Sequence, residues 1–348
     1  MKKLLPLLIV LLLTLTACGG KPAAQTLKVF NWGVYIDDAV IDAFEEKYDA
    51  RVIYDNFESN EAMYTKLQGG EKYDVLVPSD YMIERLIAED KLQKLNLAKI
   101  PNASGIIESL KGLPSDPNDE YSVPYFWGNV GLLYNTENVD QEDLESQGWN
   151  ILVNPKYRSK VYMYDSERDA FMIAYKALGF SANSKVQSEI DAAFAWLKKL
   201  NSTMDPVYVT DDVIDNMIEG IKDIAVIYSG DAAYIVSENE SMAYYVPEEG
   251  TNLWVDSMVI PADASNPDLA HKWINFMLEP ENAALNTIYV GYTTPVQSVF
   301  DEMVAEGGDY EGIDAYVPRT GYAKDETFRF DEDLKRILSD LWTKVKAQ

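Results

Sequence analysis

Leu27-Lys28-Val29-Phe30-Asn31-Trp32, then Gly33-Val34-Tyr35, then an apolar stripe of Val40, Ile41 and Phe44 within Ala39 to Tyr48 together decide the fold. The first run is rich in β-branched and aromatic residues and reads as a strand. The stripe has helical spacing, and Asp37 or Asp38 can cap it. The same strand-then-helix unit follows twice more. Arg51 to Tyr54 is a second strand, and Ser59 or Asn60 opens a helix through Leu67 that Gly69-Gly70 ends. Tyr73-Asp74-Val75-Leu76-Val77 is a buried strand, and Pro78-Ser79-Asp80-Tyr81 turns into a helix from Met82 to Glu89. This alternation predicts an α/β fold with a doubly wound parallel sheet. Ligands of such sheets sit beyond the carboxyl ends of the strands. Trp32, Tyr35, Ser79 and Tyr81 all fall there and form one candidate wall of a pocket.

Downstream, Ser122 to Asn129 and Gly131 to Asn135 are two strand-like runs punctuated by Pro and Gly, a passage from one lobe to another. A second α/β series follows. Lys160 to Tyr164 is a strand, and Asp165-Ser166-Glu167-Arg168-Asp169 caps a helix from Ala170 to Leu178. Helix Val186 to Leu200, strand Val207 to Val209, helix Asp211 to Glu219 and strand Asp223 to Tyr228 complete it. Asp165, Ser166, Asp169 and Tyr228 lie at carboxyl ends of these strands. Two helices, Pro267 to Leu278 and Glu281 to Tyr289, precede a turn that presents Tyr292, and Asp331 to Val345 is a terminal amphipathic helix.

Between these parts, Thr251 to Ile260 reads as a strand that stops at Pro261. Residues two apart on a strand face the same way, so Trp254 and Asp256 project together, roughly 7 Å apart. An indole beside a carboxylate suits an alkylammonium: the acid takes the charge, and the ring takes the methylenes with cation–π attraction.

Lys2 and Lys3 precede an apolar run from Leu4 to Thr16, and small residues follow it. Residues 1–17 read as a signal peptide, too short to span a bilayer permanently. Leu15-Thr16-Ala17-Cys18 has the form of a lipobox, which marks Cys18 as a lipidated first residue and 18–26 as its tether; ordinary secretion is the alternative. A diacyl anchor supplies the two chains that stable attachment needs. No later segment reads as membrane-spanning. Cys18 is the only cysteine, so the body relies on packing rather than disulfides.

The formal charge is −27 and becomes −29 without Lys2 and Lys3, which argues against nucleic acid as a partner and steers small cations inward. The one histidine, His271, lies in a helical run as a surface or packing residue, which disfavours Ser-His-Asp and Cys-His catalysis. No His/Cys cluster offers a metal site and no Gly-rich loop has a nucleotide-binding pattern, so neither metal nor cofactor is expected. Asp165, Glu167 and Asp169 form a candidate set for glycoside hydrolysis, though acids at a helix start also serve as caps. No catalytic residue is assigned.

Several stretches, in order, carry a resemblance: Asn31 to Tyr35, Glu58 to Tyr64, Val77 to Tyr81, Ser122 to Gly128, Trp254 to Ser257 and Gly291 to Pro295. With them the chain resembles the bacterial spermidine/putrescine-binding proteins, lipid-anchored receptors of polyamine ABC transporters. The resemblance implies two lobes joined by crossing strands, the type II or Venus-flytrap architecture of periplasmic binding proteins, with residues 27–126 plus 257–300 in one lobe and 127–256 plus 301–348 in the other. It implies a monomer on the outer face of the cytoplasmic membrane that delivers a polyamine to permease subunits. Carried over by position, Trp32 and Tyr35 are aromatic wall and hydrogen-bond partner, Ser79 and Tyr81 line the third strand's end, and Tyr292 is a further aromatic. Trp254 is the stacking indole and Asp256 the amine's carboxylate. The family commonly has an acidic pair where this chain has Ser166 and Asp169, with Asp165 and Glu167 close by; a Trp is usual where Tyr228 stands. These departures leave the choice between spermidine and putrescine open. A receptor for a thiamine-like cation, a sugar or ferric iron keeps the same architecture; a carboxylate glycosidase or an adhesion scaffold are the rivals of other classes.

Overall fold

The computed structural model describes residues 25–210 and 212–347. The signal peptide, Cys18, most of the tether and Asp211 lie outside the described residues. The first βαβ series forms as read. β1 (Gln25–Trp32) pairs in parallel with β2 (Ala50–Phe57) and β3 (Val75–Leu76), with α1 (Asp38–Tyr48) and α2 (Asn60–Gln68) as crossovers. Asp37 caps α1 by accepting from the Ala39 amide at 2.9 Å, and Ser59 caps α2 through the Ala62 amide. α3 (Asp80–Ala88) begins two residues before the expected Met82, so Asp80 and Tyr81 belong to a helix's first turn rather than to a connecting turn.

The two strand-like runs after Ser122 are one strand. β4 (Ser122–Asn135) is fourteen residues long, with a register shift between Pro124 and Phe126 that accommodates the proline. Gly128 does not interrupt it, because its role is close approach. A Cβ there would lie 2.4 Å from the Ser229 hydroxyl and 2.6 Å from the Trp254 ring. Two helices follow: α4 (Gln141–Gln147), which the sequence reading did not identify, and, after β5 (Val161–Tyr164), α5 (Glu167–Ala177). Next come α6 (Gln187–Met204), β6 (Val207–Val209), α7 (Val213–Ile218), β7 (Ile224–Tyr228), α8 (Ser229–Glu238) and β8 (Met242–Tyr245). β5 pairs in parallel with β6 and β7, a second series like the first. β9 (Leu253–Val259) returns antiparallel to β3 and to the first half of β4, while the second half of β4 pairs with β7 and β8.

The strand order is β2-β1-β3-β9-β4-β7-β5-β6, with β8 also on β4. Each half is thus parallel at its outer strands, and antiparallel β4 and β9 join them at the centre. Apolar residues cover both faces of this sheet: Leu27 and Val29 of β1 enter one core, and Phe30 the other. On the first half lie α9 (Pro267–Met277), α10 (Pro280–Val290) and the short α11 (Gln297–Val304). His271 is buried as a packing residue; its Nε2 accepts from the Asn96 amide at 2.9 Å. The terminal α12 (Glu332–Lys346) lays Leu338, Trp342 and Val345 against α5 and α6. No helix among the described residues is long and apolar enough to cross a membrane.

Candidate functional site

The carboxyl ends of β1, β3 and β7 meet the first part of the antiparallel β9 where the halves join. Tyr35 follows β1, and its hydroxyl donates to Asp256 Oδ2 at 2.8 Å. Asp256 lies on β9, bridged to Ser79 at the head of α3, and the Ser79 hydroxyl also bonds its carboxylate. Asn60, at the start of α2, fixes that head. Its side-chain amide donates to Ser79 Oγ and Tyr81 OH at 3.0 and 3.1 Å, and its carbonyl accepts from the Ser79 amide. A buried Asn that opens a helix and faces a neighbouring helix start was the signal available for this residue, which the sequence reading took only as a cap.

From the second half, Tyr228 at the end of β7 donates to Asp169 Oδ2 at 2.8 Å. Between the two tyrosine–acid pairs runs a chain of edge-on aromatic contacts. Tyr35 meets Tyr292 at 5.7 Å, Tyr292 meets Trp254 at 5.2 Å, and Trp254 meets Tyr228 at 6.1 Å, with interplanar angles of 65°, 88° and 85°. Edge-on packing leaves ring faces for other groups. Tyr292 OH donates to Asp231 Oδ1 on α8, and the close seat of its ring requires a glycine at 230, where a Cβ would stand 1.9 Å from the ring. Trp32 packs beside Phe57 at 4.6 Å.

Asp256 and Asp169 share an unusual state. Both are buried, at 6 % and 3 % exposed, yet among the described residues Oδ1 of each has no hydrogen-bond partner. The indole N–H groups of Trp32 and Trp254 are also buried without a partner. A buried carboxylate oxygen without a donor is costly, and native proteins rarely keep one without a function. Burial raises the Asp256 carboxyl to about 6, against the opposing hydrogen bonds from Ser79 and Tyr35. Burial likewise raises Asp169, opposed by Ser166 and Tyr228. Two acids with free oxygens, separated by aromatic rings, match a molecule with cationic ends and an apolar middle.

Two sequence candidates have other employment. Asp165 points away, accepting from Trp342 Nε1 at 2.9 Å and pairing with Lys346 at 2.6 Å, so it fastens α12 to the second half. The residue just past a strand can turn to either side of the sheet, which sequence spacing alone did not resolve. Ser166 is the N-cap of α5, its hydroxyl accepting from the Asp169 amide at 3.3 Å. It therefore aims Asp169 rather than replacing an acid.

Asp80 and Arg168 also face this region and were not foreseen. Asp80 is 2 % exposed, its Oδ1 accepting from the Tyr81 amide at 2.6 Å and its Oδ2 without a partner among the described residues. Burial lifts it to about 8, with Asp256 adding to the rise and Arg168 opposing it. No group of three His, Cys, Asp or Glu among the described residues is placed to hold a metal ion. A surface depression of about 440 Å³, lined by Thr26, Lys28, Asp74 and Asn266, lies at the opposite end of β1. Its buried acid is already satisfied, since Asp74 accepts from the Lys28 and Asn266 amides.

The family model of bacterial extracellular solute-binding proteins matches residues 39–311. A spermidine/putrescine-binding periplasmic protein of Salmonella typhimurium is 33% identical over 325 residues, covering 93% of this chain and 92% of its own. A putrescine-binding periplasmic protein of Escherichia coli is 28% identical over 342 residues, with the same coverage of each. Among solved structures, the spermidine/putrescine ABC transporter substrate-binding protein PotD of Streptococcus pneumoniae matches with a TM-score of 0.80. It is 36% identical and covers 93% of this chain and 99% of that one. The Tp0655 lipoprotein of Treponema pallidum matches at 0.79 with 26% identity, covering 93% of this chain and all of that one. With a family model matched over most of its length and relatives of 33% identity covered almost end to end, the chain belongs to the bacterial extracellular solute-binding protein family.

Proposed function

We propose that this protein is a receptor for an alkyl polyamine, spermidine or putrescine, which it delivers to the permease of an ABC transporter. One observation carries the reading: two buried carboxylates, Asp256 and Asp169, each have one oxygen held by a tyrosine and the other without a partner among the described residues, with aromatic rings between them. An ammonium at each Oδ1 supplies the missing donors, and the methylenes lie against Trp254 and its neighbours. The relatives' binding of spermidine and putrescine supports the same ligand class. A neutral sugar leaves the two charges uncompensated in a low dielectric, which costs several kcal/mol.

In this reading the function is binding without catalysis, carried by Trp32, Tyr35, Ser79, Tyr81, Asp169, Tyr228, Trp254, Asp256 and Tyr292. Residues 27–126 plus 257–300 and residues 127–256 plus 301–348 act as the lobes of a trap, and closure follows from tighter binding to the closed form. The receptor works as a monomer held at the outer face of the cytoplasmic membrane by lipid on Cys18, as Leu15-Thr16-Ala17-Cys18 supports. Radiolabelled lipid incorporation that persists in Cys18→Ser would reject the anchor. The ligand is tested by calorimetric titration with spermidine and putrescine after unfolding and refolding to strip bound amine. Saturable one-to-one binding is expected; no heat from either amine in a folded protein rejects the reading.

A further inference from the structure

Beyond α11 the chain is fastened to the second half at two places. Glu326 pairs with the buried Lys176 of α5 and accepts from the Ser181 hydroxyl at 2.6 Å and the Ala182 amide at 3.0 Å. Its backbone bonds to Thr251 and Leu253, at the entry to β9. Further on, α12 packs on α5 and α6, its N-cap Asp331 pairs with Lys185, and its last turn holds Asp165 through Trp342 and Lys346. A segment tied in this way at both ends belongs to the second half.

From that segment, side chains reach α2 and α3 of the first half. Arg329 pairs with Glu84 of α3, its Nε 3.0 Å from Oε2, and the Phe330 amide donates to the same oxygen at 2.8 Å. Arg85 pairs with Glu332 at 3.1 Å, and its guanidinium lies 5.1 Å from the centre of the Phe330 ring. In the first turns of α12, Lys335 pairs with Glu61 of α2 at 3.1 Å. Glu61 is itself 3.4 Å from the Tyr81 hydroxyl, so these contacts adjoin the cleft wall that Asn60, Ser79 and Tyr81 build. The signs alternate: Arg329, Glu332 and Lys335 face Glu84, Arg85 and Glu61, and a slip in register would set like charges together. One exposed ion pair contributes little, but three on one segment form a network that shares the cost of ordering it.

We propose that residues 328–335 form an ionic strap, carried by the second half, that grips α2 and α3 and holds the cleft shut. The inference goes beyond the identity of the ligand and rests on the reading of the two halves as lobes of a trap. Drawing the halves apart breaks all three pairs and frees the Phe330 amide. The strap therefore slows ligand release and keeps a larger share of molecules shut. Its pairs are reached by solvent, so closure depends on ionic strength: the screening length falls from about 30 Å at about 0.01 M to about 3 Å at about 1 M.

The test compares wild type, Glu84→Arg, Arg329→Glu and the double charge swap, each stripped of amine by unfolding and refolding and shown to be folded by its thermal melt. Small-angle X-ray scattering reads the radius of gyration at low and high salt, and stopped-flow mixing reads the release of spermidine and putrescine. At low salt each single variant sets like charges face to face, so its radius should grow and its release quicken at least threefold. The double swap should recover at least half of both changes, and the wild type at high salt should approach the single variants. Lys335→Glu, which opposes Glu61, gives the same comparison if a change at Glu84 disturbs α3. Folded single variants with the radius and release of the wild type overturn the strap, even where they melt lower, as does a double swap no better than either single change. A radius that neither salt, substitution nor a bound amine alters overturns the trap itself. Absence of binding by either amine rejects the ligand reading alone, and the scattering of the free proteins still decides the strap.

Discussion

Asp256→Asn separates what the carboxylate does for the ligand from what it does to the fold. The substitution keeps the shape and an acceptor for the Tyr35 hydroxyl, which lies 2.8 Å away, and removes the charge. Truncating one partner of a buried, hydrogen-bonded charge pair costs about 2–5 kcal/mol, so Kd for a polyamine should rise between about 30-fold and a few thousandfold. The unliganded protein should respond in the opposite sense. Its carboxyl is raised from 3.8 to about 6 by burial, so holding it ionised at neutral pH opposes folding by about 3 kcal/mol. Asn removes that opposition and loses about 1 kcal/mol in weaker hydrogen bonds from Tyr35 and Ser79. The melting temperature of the free variant at pH 7.5 should therefore equal or exceed that of the wild type, while the upward shift given by saturating polyamine disappears. Differential scanning calorimetry with and without ligand, beside isothermal titration, reads both effects. A Kd within threefold of the wild type, or a free variant that melts several degrees lower, would refute the reasoning.

Three further outcomes are expected. Lowering the pH from 7.5 to 5 should weaken binding about tenfold, because an ammonium needs Asp256 ionised and only about a tenth of it is ionised one unit below its raised pKa. The free protein should show the reverse trend: Asp80 and Asp256 keep protons when folded that the unfolded chain releases near pH 4. That stabilisation is full at low pH and is lost from about pH 4 upward, levelling off above about 6 for Asp256 and above about 8 for Asp80, so a melting temperature that climbs from pH 4.5 to 6 contradicts the first assignment and one that climbs from pH 6 to 8 the second. Gly230→Ala should raise Kd more than tenfold by pushing the Tyr292 ring off Trp254; unchanged affinity and tryptophan fluorescence would show that the ring is not held there. Arg329→Ala should speed ligand release severalfold and flatten its salt dependence if residues 301–348 move with the second lobe, since Arg329 Nε, ahead of α12, reaches both oxygens of Glu84 on α3 at 3.0 and 3.2 Å; stopped-flow release rates that match the wild type at low and high salt would count against it.

The strand-and-helix alternation was legible because hydrophobic period and capping residues act locally. Leu27 to Trp32 and Asp37 are read from their own neighbours, and the structure repeats that reading. The aromatic and acidic lining past the strand ends was legible for the same reason, since a doubly wound sheet fixes where its carboxyl ends lie. What stayed hidden depends on contacts distant in sequence. Asp165 is taken out of the cleft by Trp342 and Lys346, about 180 positions later, and nothing in its own segment announces them. Arg168 meets Tyr81 and Asp80 only because two separate halves are brought face to face. The unity of β4 was obscured by Pro124, Gly128 and Gly131, which read as punctuation. Gly131 is required by the Tyr244 ring, 2.4 Å from where its Cβ would stand, and not by a break in the chain.

β4 also sets how the molecule can move. At the crossing, the Val130 amide donates to the Asn252 carbonyl at 3.3 Å and its own carbonyl accepts from Thr251 Oγ1 at 2.6 Å, while β4 pairs with β9 up to Asn129 and with β7 from Val130 onward, so the strand is bonded through the junction. A loop at this place would work as a pin joint, free until something stops it. A bonded ribbon works as a leaf spring: a turn of one half against the other is spread as torsion over several residues, and it stores a restoring torque. The resting angle is then a property of the ribbon, and cargo has only to bend it.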